Sequence, residues 1–512
     1  MFESGQKKQK ISKEYYETAI EPIREQLLDL QQQLDEHGIA ALIILAGVDG
    51  SGKGDILTRL NEWFDPRYMR THAYGQPTEE ERQRPRHWRY WMNQPVSGHL
   101  GVDVFGWYGQ VFSDCLRGIL STEEMAMELE HINCQEKTLV DNGIPVIKIW
   151  LHLSQKQQIK KINKLALNRD DGGKLTDSEK RHIKQYPEFI TLAETVLGAT
   201  HTAPAGWLVV NGYDTRYRRL TIASHLMDRL SACIQKKQQQ ATIDQNVLVD
   251  AVVSGSNHRL TAVDLARTLD KKTYQIRLDQ CQQALGQLTN QARHEGKAAI
   301  LVFEGWDASG KGGIIRRMTA AIDARNYKVI PIAAPSQEEQ SHHYLWRFWK
   351  HVPRDGQITL YDRSWYGRVL VERVEHLAQT VAWERAYSEI NQFEQELAEH
   401  GILILKFWLQ ISKDEQLRRF AKRENTRYKR YKITEEDYRN RSRWEDYEQA
   451  VEDMLAMTDT VNAPWHVIPA DNKYIARIEV FEYILAAYRD RLDRSRSTRL
   501  QTRKEDKPAV GC

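Results

Sequence analysis

Residues 305–313 read GWDASGKGG, directly after an apolar run (299–304) and before a helix-forming stretch. At such a junction glycines let backbone N–H groups converge on phosphate oxygens, and the helix N-terminus adds a favourable dipole. Gly305, Ala308, Ser309, Gly310 and Gly312 are expected to form that cradle, and Lys311 to reach bridging and terminal phosphates. The bland alternative is a tight glycine turn between strand and helix. The motif fits GxxxxGK but ends in Gly312, where a hydroxyl ordinarily ligates Mg²⁺. Asp307, inside the loop, is the substitute oxygen ligand. A carboxylate there repels phosphate unless a cation lies between them, so the loop implies Mg²⁺ as cofactor.

A second acidic position follows. Residues 358–366 read ITLYDRSWY, an apolar strand ending in Asp362, where a phosphate-loop protein places its second metal-organising carboxylate. Arg363 beside it can neutralise phosphate charge. The basic helix from Leu417 to Arg423 has the cation density of a lid over phosphates, with Arg423 the arginine that stabilises transition-state charge. Taken singly, a strand-end Asp can cap a helix and a basic helix can be a solvated face.

The elements that must position these residues occur twice. AALIILAGVDGSGKGDILTRL (40–60) resembles AAILVFEGWDASGKGGIIRRM (298–318), and an offset of 258 takes Lys53 to Lys311. The offset also pairs Trp88 with Trp346, Trp107-Tyr108-Gly109 with Trp365-Tyr366-Gly367, and Trp207 with Trp465. Each repeat is therefore a whole domain. Amphipathic helices are expected over 14–36 and 272–294. Buried strands are expected at 41–46, 145–151 and 207–211, and at 299–304, 328–332, 357–361, 402–409 and 465–469. The fold class is α/β: two tandem kinase-like phosphate-loop domains, each a parallel sheet flanked by helices, with a helical lid. The boundaries expected are 1–235 and 269–492, joined by a linker at 236–268 and followed by a charged, disordered tail from 493.

The first repeat lacks the charges. Val104 and Phe105 stand where Asp362 and Arg363 should be, and Leu165 stands at the place of Arg423. The first repeat is thus expected to keep the fold and lose the chemistry. It either binds an anion through Lys53 or is purely structural.

The second repeat resembles the polyphosphate kinase 2 family over essentially its whole length. The resemblance is carried by GWDASGKGG (305–313), PSQEE (335–339), Trp346-Arg347, YDRSWYGRVLVERV (361–374), RFAKR (419–423) and APWHVIPADNK (463–473). A degenerate first copy fused to a working one is similar to the polyphosphate:AMP phosphotransferase subgroup. The resemblance implies transfer of the terminal phosphate of inorganic polyphosphate to AMP, giving ADP, with Mg²⁺ organised by Asp307 and Asp362. It implies phosphate binding by Lys311 and Arg363, a lid role for Arg423, and a phosphate-binding contribution from Glu372 and Arg373. After RFAKR the chain carries ENTRYKRYK, where many relatives have a DP-containing stretch.

Two rivals stay open at this point: an ATP-dependent nucleotide kinase of the thymidylate kinase type, and a non-catalytic nucleotide- or polyphosphate-binding protein. Composition narrows the rest. The 512 residues carry a net charge of only +3, against a large nucleic-acid binder, and 41% are hydrophobic, enough for ordinary cores. Five scattered cysteines form no CxxC pair, and no apolar run is long enough to span a membrane. The expectation is a cytoplasmic enzyme with reduced thiols and no nucleic-acid or membrane partner. A homo-oligomer paired through its large faces fits the sequence, which does not fix the oligomeric state.

Overall fold

The computed structural model describes Phe2 and residues 9–167, 174–243, 258–426 and 435–505. Two five-stranded, wholly parallel sheets organise it. In the first, β1 (Ala41–Gly47), β2 (Met69–Ala73), β3 (Leu100–Val104), β4 (Val146–His152) and β5 (Trp207–Asn211) lie in the order β2-β3-β1-β4-β5. In the second, β6 (Ala299–Gly305), β7 (Tyr327–Pro331), β8 (Ile358–Asp362), β9 (Leu403–Gln410) and β10 (Trp465–Pro469) lie in the order β7-β8-β6-β9-β10. The 258-residue offset survives in the strand register: Ala41 pairs with Leu100, and Ala299 with Ile358.

The strand leading into each phosphate loop is central and covered by helices on both faces. That is why β1 is apolar at every position rather than alternating. Ile43 and Leu45 pack on one side with Leu27, Leu34 and Leu226; Leu42 and Ile44 pack on the other with Trp150 and Val196. The edge strand β2 is largely exposed, and its polar MRTHA sequence carries no buried-strand signature. It and β3 (LGVDV) are the strands that hydrophobic runs alone do not reveal.

The chain divides into two compact units: Met1–Thr78, His87–Leu248 and Pro335–Trp346 in one, and Glu79–Arg86, Val249–Ala334 and Arg347–Cys512 in the other. The division departs from a single cut at the linker, because each unit includes a short segment from the other repeat. Two boundary expectations also change. The Thr215–Ile243 helix runs into the segment read as linker, and the tail from 493 continues the Lys473–Glu505 helix; residues 506–512 lie outside the described residues. No helix among the described residues is long and apolar enough to cross a membrane.

Each unit contains a buried charged triad under its sheet. Lys406 Nζ donates to Glu394 (2.7 Å), the Tyr366 hydroxyl (2.8 Å) and the Thr458 carbonyl (2.7 Å). Lys148 does the same with Glu136, Tyr108 and Thr200. All three ammonium donors are used, as burial of a charge requires. The repeated Trp-Tyr pair is therefore part of a structural network: Trp365 Nε1 also donates to Glu394.

Candidate active site

The second phosphate loop turns from β6 into the Lys311–Thr319 helix through two residues in left-handed conformations, Ala308 (φ +63°) and Gly310 (φ +119°). A Cβ placed on Gly310 would meet no atom within 4 Å, so the space facing the loop is open. Lys311 folds back over it and donates to the Gly305 (2.5 Å) and Trp306 (3.2 Å) carbonyls. Burial pulls the Lys311 ammonium below its ordinary range; Asp307, Asp362 and Glu304 oppose that shift, while Arg363 adds to it. Those four side chains and the lysine thus form one electrostatic cluster.

Asp307 is its anionic centre. Arg363 donates to Asp307 Oδ1 at 2.9 Å, and Asn440 Nδ2 donates to Oδ2 at 3.0 Å. Burial alone would raise the Asp307 pKa, but Lys311 and Arg363 outweigh it and hold the carboxyl below its usual range. Asp362 ends β8, which pairs directly with the loop strand, and its Oδ2 lies 3.8 Å from where a Cβ on Gly312 would sit. Arg363 occupies a left-handed position (φ +65°) that turns its side chain back onto the loop.

The lid arginine region is anchored to the same loop. Arg419 makes direct contacts, donating to the carbonyls of Ala308 (3.0 Å), Ser309 (2.7 Å) and Ala470 (2.6 Å). Gln416 donates to the Asp307 carbonyl at 3.2 Å. Arg423 is half-buried, its pKa lowered by desolvation and partly restored by the charges of Asp437 and Asp307. It therefore sits within electrostatic reach of the loop carboxylate. Most of the ENTRYKRYK stretch lies outside the described residues.

Two predicted phosphate ligands are not brought to the loop. Arg373 donates to Tyr387 (3.0 Å), pairs with Asp453 (2.8 Å) and stacks over Trp383. Glu372 pairs with Arg368 at 2.8 Å. Both side chains are engaged in local ion pairs.

The structure also adds residues that motif reading passed over. Glu304, the last residue before the loop's first glycine, is buried and accepts from Ser364 Oγ at 2.8 Å. Burial pushes its carboxyl up despite the nearby Lys311. Arg317 and Arg477 line the start of the loop helix: Arg477 Nη2 lies 3.6 Å, and Arg317 Nη1 3.9 Å, from the Cβ position of Gly313. Both bond the Tyr274 hydroxyl, and each raises the local positive field. The offset could have flagged Glu304 and Ser364, since the first repeat has Ala46 and Gly106 there.

The first loop shows what an idle version becomes. Asp55 stands at the place of Gly313, and its carboxylate takes Arg218 (2.5 Å) and Arg219. The buried Arg218 guanidinium also donates to the Ser51 (3.1 Å) and Gly212 (2.6 Å) carbonyls. A Cβ on Gly52 would collide with it at 2.4 Å, where its counterpart Gly310 faces open space. Asp49 is held by His182 and Lys53 instead of by an arginine; burial would raise its pKa, but these partners bring it down to about 2. His182 sits at the place of Asn440.

An open glycine loop with a lysine, two flanking carboxylates and an arginine cluster defines a phosphate-loop phosphotransferase site in the second unit, set beside a plugged copy in the first. The chain belongs to the polyphosphate kinase 2 family, which it matches twice, over residues 10–240 and 268–496. It is 40% identical over 487 residues to a polyphosphate:AMP phosphotransferase of Pseudomonas aeruginosa, covering 94% of this chain and 98% of the relative. It is 34% identical over 460 residues to one of Acinetobacter johnsonii, covering 89% and 92%. A crystal structure described as a polyphosphate kinase 2 from Pseudomonas aeruginosa superimposes with a TM-score of 0.85 at 39% identity, covering 96% of this chain and 99% of that one.

Proposed function

We propose that the second unit transfers the terminal phosphate of inorganic polyphosphate to AMP, forming ADP. The observation that carries this reading is the open loop with Lys311, Asp307, Arg363 and Asp362 gathered around it, in a chain whose full-length relatives bear the name polyphosphate:AMP phosphotransferase. The donor set also suits a divalent cation, which we take to be Mg²⁺. Among the described residues no group of three His, Cys, Asp or Glu is placed to hold a metal ion by itself, whereas two hard carboxylates flank the phosphate loop. Mg²⁺ is commonly held by one or two carboxylates together with substrate phosphates, so Asp307 and Asp362 would hold it. When bound it supplies charge neutralisation between phosphate oxygens.

The residues then divide the work. The loop backbone and Lys311 hold the donor phosphates, and Arg317 and Arg477 extend the positive track along the loop helix. Arg363 and the Arg423 lid region neutralise charge that spreads over the transferring group. Asn440 and Arg363 fix the Asp307 carboxylate between them. AMP oxygens are already nucleophilic, and no His or Cys lies in the cluster, so in-line transfer needs no covalent enzyme intermediate. We place the reaction in the cytoplasm, in keeping with the free thiols of Cys115, Cys134, Cys233 and Cys281.

The test is to incubate the protein and Mg²⁺ with AMP, GMP or ADP and either polyphosphate or ATP, then resolve the nucleotides. ADP formed from AMP with polyphosphate, and lost in Asp362→Asn, supports the reading. Transfer from ATP alone would leave an ordinary nucleotide kinase, and transfer from neither donor a binding protein.

A further inference from the structure

The hollow beside the second loop has a counterpart in the first unit. In the second unit a cavity is bordered by Arg363, Gly367, Leu370, Val371 and Tyr447, next to Asp307. In the first unit a cavity of about 320 Å³ is bordered by Phe105, Gly109, Phe112, Ser113 and Phe189, the residues 258 positions earlier in each case. The two hollows share the wall that these five positions form and differ elsewhere: the second extends over the loop toward Trp306 and Asn440, and the first toward the end of β2 at Ala73 and Tyr74. The arginine has become a phenylalanine ring, and Tyr74 and Tyr90 bring the number of bordering rings to five.

Those rings fall into two groups, a tyrosine pair and a phenylalanine trio. Tyr74 meets Tyr90 edge-to-face at 4.7 Å, Phe105 meets Phe112 at 5.9 Å, and Phe112 meets Phe189 at 5.2 Å. Gln76, Gln110 and Ser113 add amide and hydroxyl groups that can both donate to and accept from the heteroatom edge of a planar ring. The cations nearest this hollow are engaged with the protein itself: Arg89 lies over the Tyr74 ring at 4.9 Å and donates to the Gly75 carbonyl. Lys53 packs 5.2 Å from the Phe105 centroid while donating to the Gly47 and Val48 carbonyls, and Arg218 fills the adjoining loop. The volume stands at the lower end of small-molecule sites, enough for a nucleoside and far too small for a polymer.

We infer that this cavity is a second, non-catalytic site that binds the nucleoside part of a purine nucleotide, AMP, by stacking its base among the rings. The ligand class rests on the reading that the matching hollow of the second unit serves the AMP acceptor. The base, not the phosphate, carries the recognition, so adenosine binds there as AMP does.

Equilibrium dialysis of radiolabelled AMP against the full chain, without polyphosphate, tests this. The expected result is two AMP bound per chain, one of them displaced by adenosine. Ser113→Trp, which fills the hollow, should leave one AMP per chain, with turnover at saturating AMP within about twofold of wild type. Gln110→Trp fills it from another side, should Ser113→Trp fail to fold. One AMP per chain in the wild type, or two that both filled variants retain, overturns the second site while leaving the phosphotransferase reading intact if ADP still forms. A chain that binds no AMP and forms no ADP overturns both.

Discussion

Replacing Arg363 by Phe gives the second unit the residue its counterpart already carries. The backbone is prepared for it: Arg363 has φ +65° and Phe105 has φ +62°, so the substitution adds no strain beyond what the fold already holds. Two things are lost. One is the bond to Asp307 at 2.9 Å. A bond to a charged group contributes about 1.5–3 kcal/mol, and the low end applies because the Arg363 side chain is 42% exposed. The other is a cation facing the transferring phosphoryl group, where an arginine contributes about 10³–10⁵-fold in rate. We therefore expect kcat to fall about 10³-fold, or about 4 kcal/mol of barrier, with stability lowered by no more than about 1.5 kcal/mol. The assay is the initial rate of ADP formation at saturating AMP and polyphosphate, with a thermal melt of each protein. Arg363→Lys should recover part of the loss. A folded Arg363→Phe enzyme with kcat within tenfold of wild type would refute the argument, reducing Arg363 to a counter-ion for Asp307.

Gly313→Asp should install the first unit's plug: the new carboxylate would lie beside Arg477, as Asp55 lies beside Arg219, and kcat/KM for polyphosphate should fall about 10–100-fold. Normal polyphosphate kinetics would show that Arg477 is outside the donor track. Lys406→Met leaves the buried Glu394 uncompensated and should cost about 3–5 kcal/mol in urea unfolding of the second unit, partly restored by adding Glu394→Gln. His182 has its pKa raised by the hydrogen bond to Asp49, against some desolvation. Its contribution to stability is therefore full below about pH 6.5 and fades as pH rises through the higher folded value. The melting advantage of wild type over His182→Asn should accordingly shrink between about pH 6 and pH 9; a constant difference would contradict the pairing.

Much of this was legible because chemistry and periodicity coincided. β6 is apolar from Ala299 to Phe303 before Glu304 and the loop glycine, and Asp362 closes a second buried strand, so the sequence alone put Asp307 just after one strand and Asp362 at the end of another. Edge strand β2 escaped because one exposed face leaves no apolar signature. The partners of Arg373 were likewise hidden: Asp453 and Trp383 reach it from other helices. Arg477 and Asn440 were invisible because they reach the loop from about 130 to 165 residues away in sequence, a distance only the fold closes, whereas Arg419 lay in the basic helix already read as a lid.

The plug in the first loop has a consequence for any attempt to revive that unit. A ring of converging N–H groups and a helix N-terminus favours negative charge whether or not a substrate supplies it. Asp55 supplies it permanently, and Arg218 and Arg219 lock it in place. Restoring an acid at 104 and an arginine at 105 would rebuild the acceptor side while the donor side stayed shut. The way back needs at least Asp55 and Arg218 removed as well, and removing Asp55 alone strands the buried Arg218 charge, while removing Arg218 alone leaves Asp55 held by Arg219. Opening the first loop is therefore a coupled change, in which the acid and its buried arginine have to leave together.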